Sequence, residues 1–201
     1  RKKDKFGIIF NLLPDICSQL NTHKHLNLKG ISCHIGSQIQ DLDVFEKVFN
    51  KMKQASEIFE DHNIIIDYLD LGGGFSVNYN NEREIDFNKL SILIKKIFSN
   101  TKYEISFEPG RYLVANAGIL VTKILTSKTN GLVNYLITDA GMQTFLRPAM
   151  YNAFHNIIPL KQNNNIKKYT IAGPICESSD VLAKNIDLSE QKTGNYLAVC
   201  D

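Results

Sequence analysis

What most restricts the fold of this chain is a change of rhythm partway along it. Between residues 29 and 108 short apolar runs alternate with long amphipathic ones, and from Gly118 onward only short apolar runs remain. "KGISCHI" (29–35), "IIIDYLDL" (64–71) and "YEISFE" (103–108) have the length and composition of strands. Between them, "DVFEKVFNKMKQASEIFEDHN" (43–63) places Phe45, Val48, Phe49, Met52, Ala55 and Phe59 on one helical face. "DFNKLSILIKKIFSN" (86–100) does the same with Phe87, Leu90, Leu93, Ile94, Ile97 and Phe98. Asp43, with Glu46 three residues on, predicts a capping box at the start of the first helix, and Asn63 predicts its stop.

Strands separated by helices of this length imply a parallel sheet with right-handed crossovers, either doubly wound or closed as a β/α barrel. The later runs, "GILVTKIL", "NYLITDA", "KYTIAG" and "NYLAV", imply a β region that begins near residues 110 to 118. "RPAMYNAFHNI" reads as a short helix, and "QNNNIKK" (162–168) as a polar hairpin or loop. The start, "RKKDKFGIIF", has neither an initiator Met nor the apolar stretch of a signal peptide, and "NYLAVCD" breaks off inside an apparent strand. The expectation is a fragment of a longer chain.

Composition narrows the function classes. With 43% hydrophobic and 22% charged residues, and no run of 18 apolar ones, the chain reads as globular, without a membrane span. A formal charge of +2 and lysines scattered among carboxylates argue against a nucleic-acid footprint; Lys95–Lys96 and Lys167–Lys168 read as solvated faces. Cys17, Cys33, Cys176 and Cys200 form no CxxC or zinc-type spacing, so a reduced, cytoplasmic setting is expected.

In parallel β/α folds ligands bind at the C-terminal ends of the strands. After "KGISC" stand His34, Gly36 and Ser37; after "DYLDL" stand Gly72, Gly73 and Gly74; after "YEISF" stand Glu108, Pro109, Gly110 and Arg111. Three consecutive glycines carry a high entropic cost and call for something that needs bare backbone. Successive amides suit a phosphate, which a serine hydroxyl and an arginine complete. A carboxylate beside that phosphate suits a cofactor that also bears a basic ring nitrogen. Pyridoxal 5'-phosphate has both, and a carboxylate at its pyridine nitrogen favours the protonated ring that serves as an electron sink. Taken singly each feature has a plainer reading: a glycine turn closing a strand, a structural histidine, a Glu108–Arg111 ion pair.

Five stretches, "GISCHIGSQI", "LDLGGGF", "EPGRYLVANAGIL", "DAGMQTFLRPAMYNAFH" and "GPICESSDVLAK", in this order and spacing, resemble the diaminopimelate decarboxylase family of pyridoxal-phosphate enzymes, which has the alanine-racemase-like fold. The resemblance runs from Lys5 through Ala198. It implies an α/β fold in which residues 1–112 are the second half of a (β/α)8 TIM-like barrel and residues 113–201 part of a C-terminal β domain. It implies that His34 stacks on the cofactor ring, that Ser37, Gly72, Gly73, Gly74 and the backbone of Glu108, Pro109, Gly110 and Arg111 hold the phosphate, and that Glu108 pairs with the ring nitrogen.

For the substrate, meso-diaminopimelate, the resemblance implies contacts from Arg111, Arg147, Tyr151 and Glu177, with Cys176 as proton donor. Cationic forks for the far carboxylate and an anion for its ammonium fit a molecule with an amino-acid group at each end. The resemblance also implies a homodimer, because the Cys-Glu segment serves the partner subunit's site. Two departures stand out. The lysine that carries the cofactor lies, in this family, upstream of the part matched here, so the chain alone is expected to be inactive. Ser179 replaces the glycine usual in the family's "CESGD" segment. Ornithine, arginine or carboxynorspermidine decarboxylases of the same fold, and a non-catalytic pyridoxal-phosphate-binding homologue, are the alternatives.

Overall fold

The computed structural model describes residues 5–79 and 83–201. They fall into two compact units, Arg1–Val77 with Arg83–Leu113 and Asn78–Glu82 with Val114–Asp201.

The first unit is the β/α part. Its three strands are β1 (Gly30–Ser32), β2 (Tyr68–Asp70) and β3 (Glu104–Ser106), parallel and in that order. They pair in simple register, Gly30 with Tyr68 and Tyr68 with Glu104. Ahead of them runs α1 (Leu13–Leu20), and the crossovers are α2 (Leu42–Asp61) and α3 (Phe87–Phe98). The helical faces read from the sequence are the ones that pack: Phe45, Phe49, Met52, Ala55 and Phe59 are buried on α2, and Leu90, Ile97 and Phe98 on α3. Phe87, at the first residue of α3, stays 40% exposed. Ile66, Leu69 and Leu71 from β2 and its flanks complete this core.

One expectation about these elements needs correcting. The cap of α2 is Asp41, whose carboxylate accepts the Asp43 amide at 2.9 Å, so Asp43 lies inside the first turn rather than capping it. Asn63 does end the helix, in the left-handed conformation with φ +61. No sequence pattern was assigned to residues 13–20, where α1 forms behind Pro14 in its first turn and buries Leu13 and Cys17.

The second unit opens with β4 (Ile119–Asn130), reached from the short α4 (Gly110–Val114) of the first unit. It continues with β5 (Val133–Thr138), α5 (Arg147–Tyr151), β6 (Ile157–Pro159), β7 (Ile166–Ala172), β8 (Val181–Ser189) and β9 (Tyr196–Cys200). The sheet order is β6-β9-β4-β5-β7-β8, with only β5 and β7 parallel. Its core is Ile124, Leu136, Ile171, Leu197 and the residues around them. The polar stretch 162–168 is a loop only up to Asn165, since β7 already begins at Ile166.

Candidate functional site

The loops that carry the residues expected at strand ends in the first unit are linked by backbone hydrogen bonds. Cys33 donates its amide to the Asp70 carbonyl (3.0 Å), and Glu108 donates its amide to the Gly72 carbonyl (2.9 Å). Ile39 donates to the Gly74 carbonyl (2.9 Å) and forms a parallel bridge with Phe75. The loops after β1, β2 and β3 are therefore laced into one rim. Gln38 adds a two-way link, donating to the Val77 carbonyl and accepting its amide, both at 2.9 Å.

The glycines are explained by this lacing. A methyl group on Gly72 would run into the Cys33 carbonyl, one on Gly73 into the Glu108 carbonyl, and one on Gly74 into the Gly36 carbonyl. Gly72 and Gly74 also have positive φ, +72 and +90. What the three bare Cα atoms accommodate is thus the backbone of the neighbouring strand ends. Gly110 is different: it is exposed, and nothing lies within 4 Å of where its Cβ would stand.

Beneath the rim Phe75 is clamped by aromatic rings, 5.5 Å from Phe45, 5.8 Å from Phe107 and 5.5 Å from Phe87. Neither helical nor strand periodicity marks this cluster, because its members come from four separate segments. Tyr112 on α4 joins it edge-on at 5.0 Å from Phe87, tying the Glu108–Arg111 segment to the same platform.

On the rim, His34, Ser37 and Glu108 are exposed. The amides of Gly73 and Gly74, the Ser37 hydroxyl and the Arg111 guanidinium have no protein acceptor among the described residues, and Glu108 forms no ion pair with Arg111. Half-buried Cys33 lies near both Asp70 and Glu108; burial first, then these two carboxylates, push its thiol up to about 11. A rim that carries open amides, a hydroxyl, a guanidinium and an unpaired carboxylate matches a group that pairs a phosphate with a basic nitrogen. The residues present fit pyridoxal 5'-phosphate.

The expected substrate residues belong to the second unit. Arg147 opens α5 and its Nε is buried without a partner among the described residues, while its guanidinium lies 5.8 Å from the ring of the exposed Tyr151. α5 packs on β8, the strand that follows the Cys176–Glu177 loop. Cys176 and Glu177 are exposed, and Ser179 and Ser178 donors hold the Glu177 carboxyl below its ordinary value, the Ser179 amide foremost.

Two organising residues escaped the sequence reading. Asp180, 2% exposed, accepts the Met142 amide (2.6 Å) and the Ile175 amide (2.9 Å), so one carboxylate joins the loop leading to α5 to the loop of Cys176. Gly141 and Gly173 are bare because a side chain on either would strike Asp180. His155 is buried between the rings of Phe145 (4.6 Å) and Tyr79 (5.2 Å). Its Nδ1 is 3.2 Å from the Cys200 carbonyl and its Nε2 is buried without a partner among the described residues. Their sequence signals were the "D" that closes "CESSD" and the "H" after "NAF", single letters outside any periodic pattern.

A parallel β/α unit whose strand ends form a phosphate-suited rim, continued by a mainly antiparallel β unit, is the architecture of the alanine-racemase-like class. Residues 1–115 match the pyridoxal-dependent decarboxylase family, in its pyridoxal-binding domain. The chain belongs to that family.

Similarity extends beyond this domain. Diaminopimelate decarboxylase of Aquifex aeolicus is 38% identical over 98% of the chain, and that of Haemophilus influenzae 36% identical over 99%; each alignment takes in 48% of the relative. The solved diaminopimelate decarboxylase of Helicobacter pylori in complex with L-lysine superposes with a TM-score of 0.91 at 32% identity, over 99% of this chain and 50% of that one. The chain thus spans about half the length of the relatives it matches. Among the described residues no helix is long and apolar enough to cross a membrane.

Proposed function

We propose that this chain serves a pyridoxal-phosphate-dependent decarboxylase that converts meso-2,6-diaminopimelate to L-lysine. The observation that carries the reading is the rim of the first unit, where acceptor-free amides of Gly73 and Gly74 share one edge with the unpaired Glu108 carboxylate. The Gly73 and Gly74 amides, Ser37 and Arg111 hold the phosphate, and the missing side chain at Gly110 leaves it room, although the Gly110 amide itself is taken by the Glu108 carbonyl (2.9 Å). Glu108 keeps a proton on the pyridine nitrogen, and His34 lies on the ring face. When bound, the cofactor takes up the electron pair left as carbon dioxide departs.

In the second unit Arg147, with Tyr151 beside it, receives the carboxylate of the amino-acid end that does not react, and Glu177 its ammonium. Arg111 adds a second cationic contact. The Cys176 thiol returns a proton to the substrate carbon. The Cys176–Glu177 loop acts in the site of a partner subunit, which makes the working form a homodimer. Four free cysteines accord with a cytoplasmic setting.

A second reading comes from a relative of 26% identity, described as SrLDC in complex with PLP and cadaverine, whose TM-score is 0.84. The test is product analysis with the longest protein containing this chain, loaded with pyridoxal 5'-phosphate. Carbon dioxide and L-lysine from diaminopimelate support the proposal. Cadaverine from lysine, or turnover only of ornithine, arginine or carboxynorspermidine, overturns it.

A further inference from the structure

The loop of Cys176 and Glu177 is closed tightly on itself. Gly173 donates to the Asp180 carbonyl (3.0 Å), Asp180 to the Glu177 carbonyl (3.1 Å) and Glu177 to the Ile175 carbonyl (2.8 Å). On this frame the Glu177 carboxylate is held unevenly. Its Oε1 receives the Ser179 amide at 3.1 Å, the Ser179 hydroxyl at 3.1 Å and the Ser178 hydroxyl at 3.2 Å. Its Oε2 receives no donor among the described residues.

A glycine in place of Ser179 would lack one of these donors, and Ser179 has no positive φ, so glycine's conformational freedom is not what the loop requires here. A glycine would still offer its amide and would leave Ser178 in place. What serine adds is the third donor, the hydroxyl.

We propose that Ser179 is a positioning residue for amino-acid recognition: with Ser178 it pins Oε1 of Glu177, so that Oε2 is presented to the α-ammonium of the ligand. This rests on the reading of Glu177 as the ammonium contact. An exposed carboxylate otherwise samples several rotamers, and fixing one before the ligand arrives removes part of the ordering cost of binding. The donors also keep the carboxyl ionised, the state that attracts an ammonium.

L-Lysine and 6-aminohexanoate separate the possibilities, because the second lacks only the α-ammonium. Calorimetric titration of the full-length, cofactor-loaded enzyme should show Ser179→Gly weakening L-lysine about three- to tenfold, the range of one hydrogen bond. Affinity for 6-aminohexanoate should stay unchanged, and Ser179→Thr should restore the lysine affinity. The inference fails if Ser179→Gly leaves lysine binding intact, or weakens both ligands alike. A wild-type enzyme that binds lysine no tighter than 6-aminohexanoate overturns the role of Glu177 and Ser179's with it, whereas turnover of diaminopimelate in the same preparation tests the parent proposal separately.

Discussion

Gly73 and Gly110 are equivalent letters at strand ends, but their surroundings give them different work. A side chain on Gly73 would collide with the Glu108 carbonyl, a backbone atom that cannot turn aside, so Gly73→Ala should destabilise the protein by about 2–4 kcal/mol. Gly110 faces open space, so Gly110→Ala should change stability by less than about 0.5 kcal/mol. If a phosphate approaches Gly110, the same change should weaken pyridoxal-phosphate binding in an absorbance titration. Urea unfolding distinguishes the pair; equal losses would refute the assignment. The sequence showed that bare backbone was needed here and could not show by what, because the carbonyls of Cys33, Gly36 and Glu108 arrive from segments 35 or more residues away.

His155 carries a pH dependence at the same scale. Burial lowers its pKa, the nearby Arg147 lowers it further, and the Cys200 carbonyl and the Asp201 backbone and carboxylate oppose them. The folded state therefore resists a proton that the unfolded chain takes up below a pH of about 6.5. Its contribution is fully present above that pH and is lost as pH falls through the lowered folded value. Urea midpoints compared at pH of about 7.5 and 5.5 should decline less steeply in His155→Asn than in the wild type.

At the scale of elements, the long helices were legible because a packed amphipathic face repeats at a fixed period, while their caps were not fixed by pattern alone. Asp41 and Asp43 both precede the apolar face of α2, and only the backbone decides which carboxylate reaches a free amide. Asp41→Ala should cost about 1 kcal/mol, and Asp43→Ala less than about 0.5 kcal/mol. Strand β8 went unread for a different reason. "VLAKNIDLS" loses its alternation at Lys184–Asn185, where the pairing with β7 shifts by one residue, from Ala183 opposite Ile171 to Ile186 opposite Tyr169. Asn185, with φ +54, absorbs the extra residue as a bulge. Just ahead of this strand, Asp180→Ala would remove the acceptor of the part-buried Met142 and Ile175 amides, and a loss of about 1–3 kcal/mol in urea unfolding is expected.

For the whole molecule, the change from β/α alternation to a β sheet was readable because it is a change of period, and it falls where the two units divide, at Leu113 and Val114. The link between the loop leading to α5 and the loop of Cys176 and Glu177 was not readable from periodicity, since it depends on a single buried carboxylate, Asp180. The first unit also states what this polypeptide needs. Its sheet has three parallel strands, and the outer edges of β1 and β3 pair with no other named strand among the described residues. Parallel strands are ordinarily covered on both sides, and open edges pair with whatever chain is available. Phe6, Ile8 and Ile9 are likewise 75%, 59% and 68% exposed. No lysine stands among the strand-end residues 33–38, 71–75 or 107–111 to carry the cofactor. Expressed by itself, the polypeptide of 201 residues should therefore self-associate in light scattering and release no carbon dioxide from diaminopimelate, whereas a protein supplying neighbouring strands and a lysine should be uniform in size and active. A well-behaved, active 201-residue polypeptide would show that three strands suffice and that the cofactor is held without a lysine on this rim.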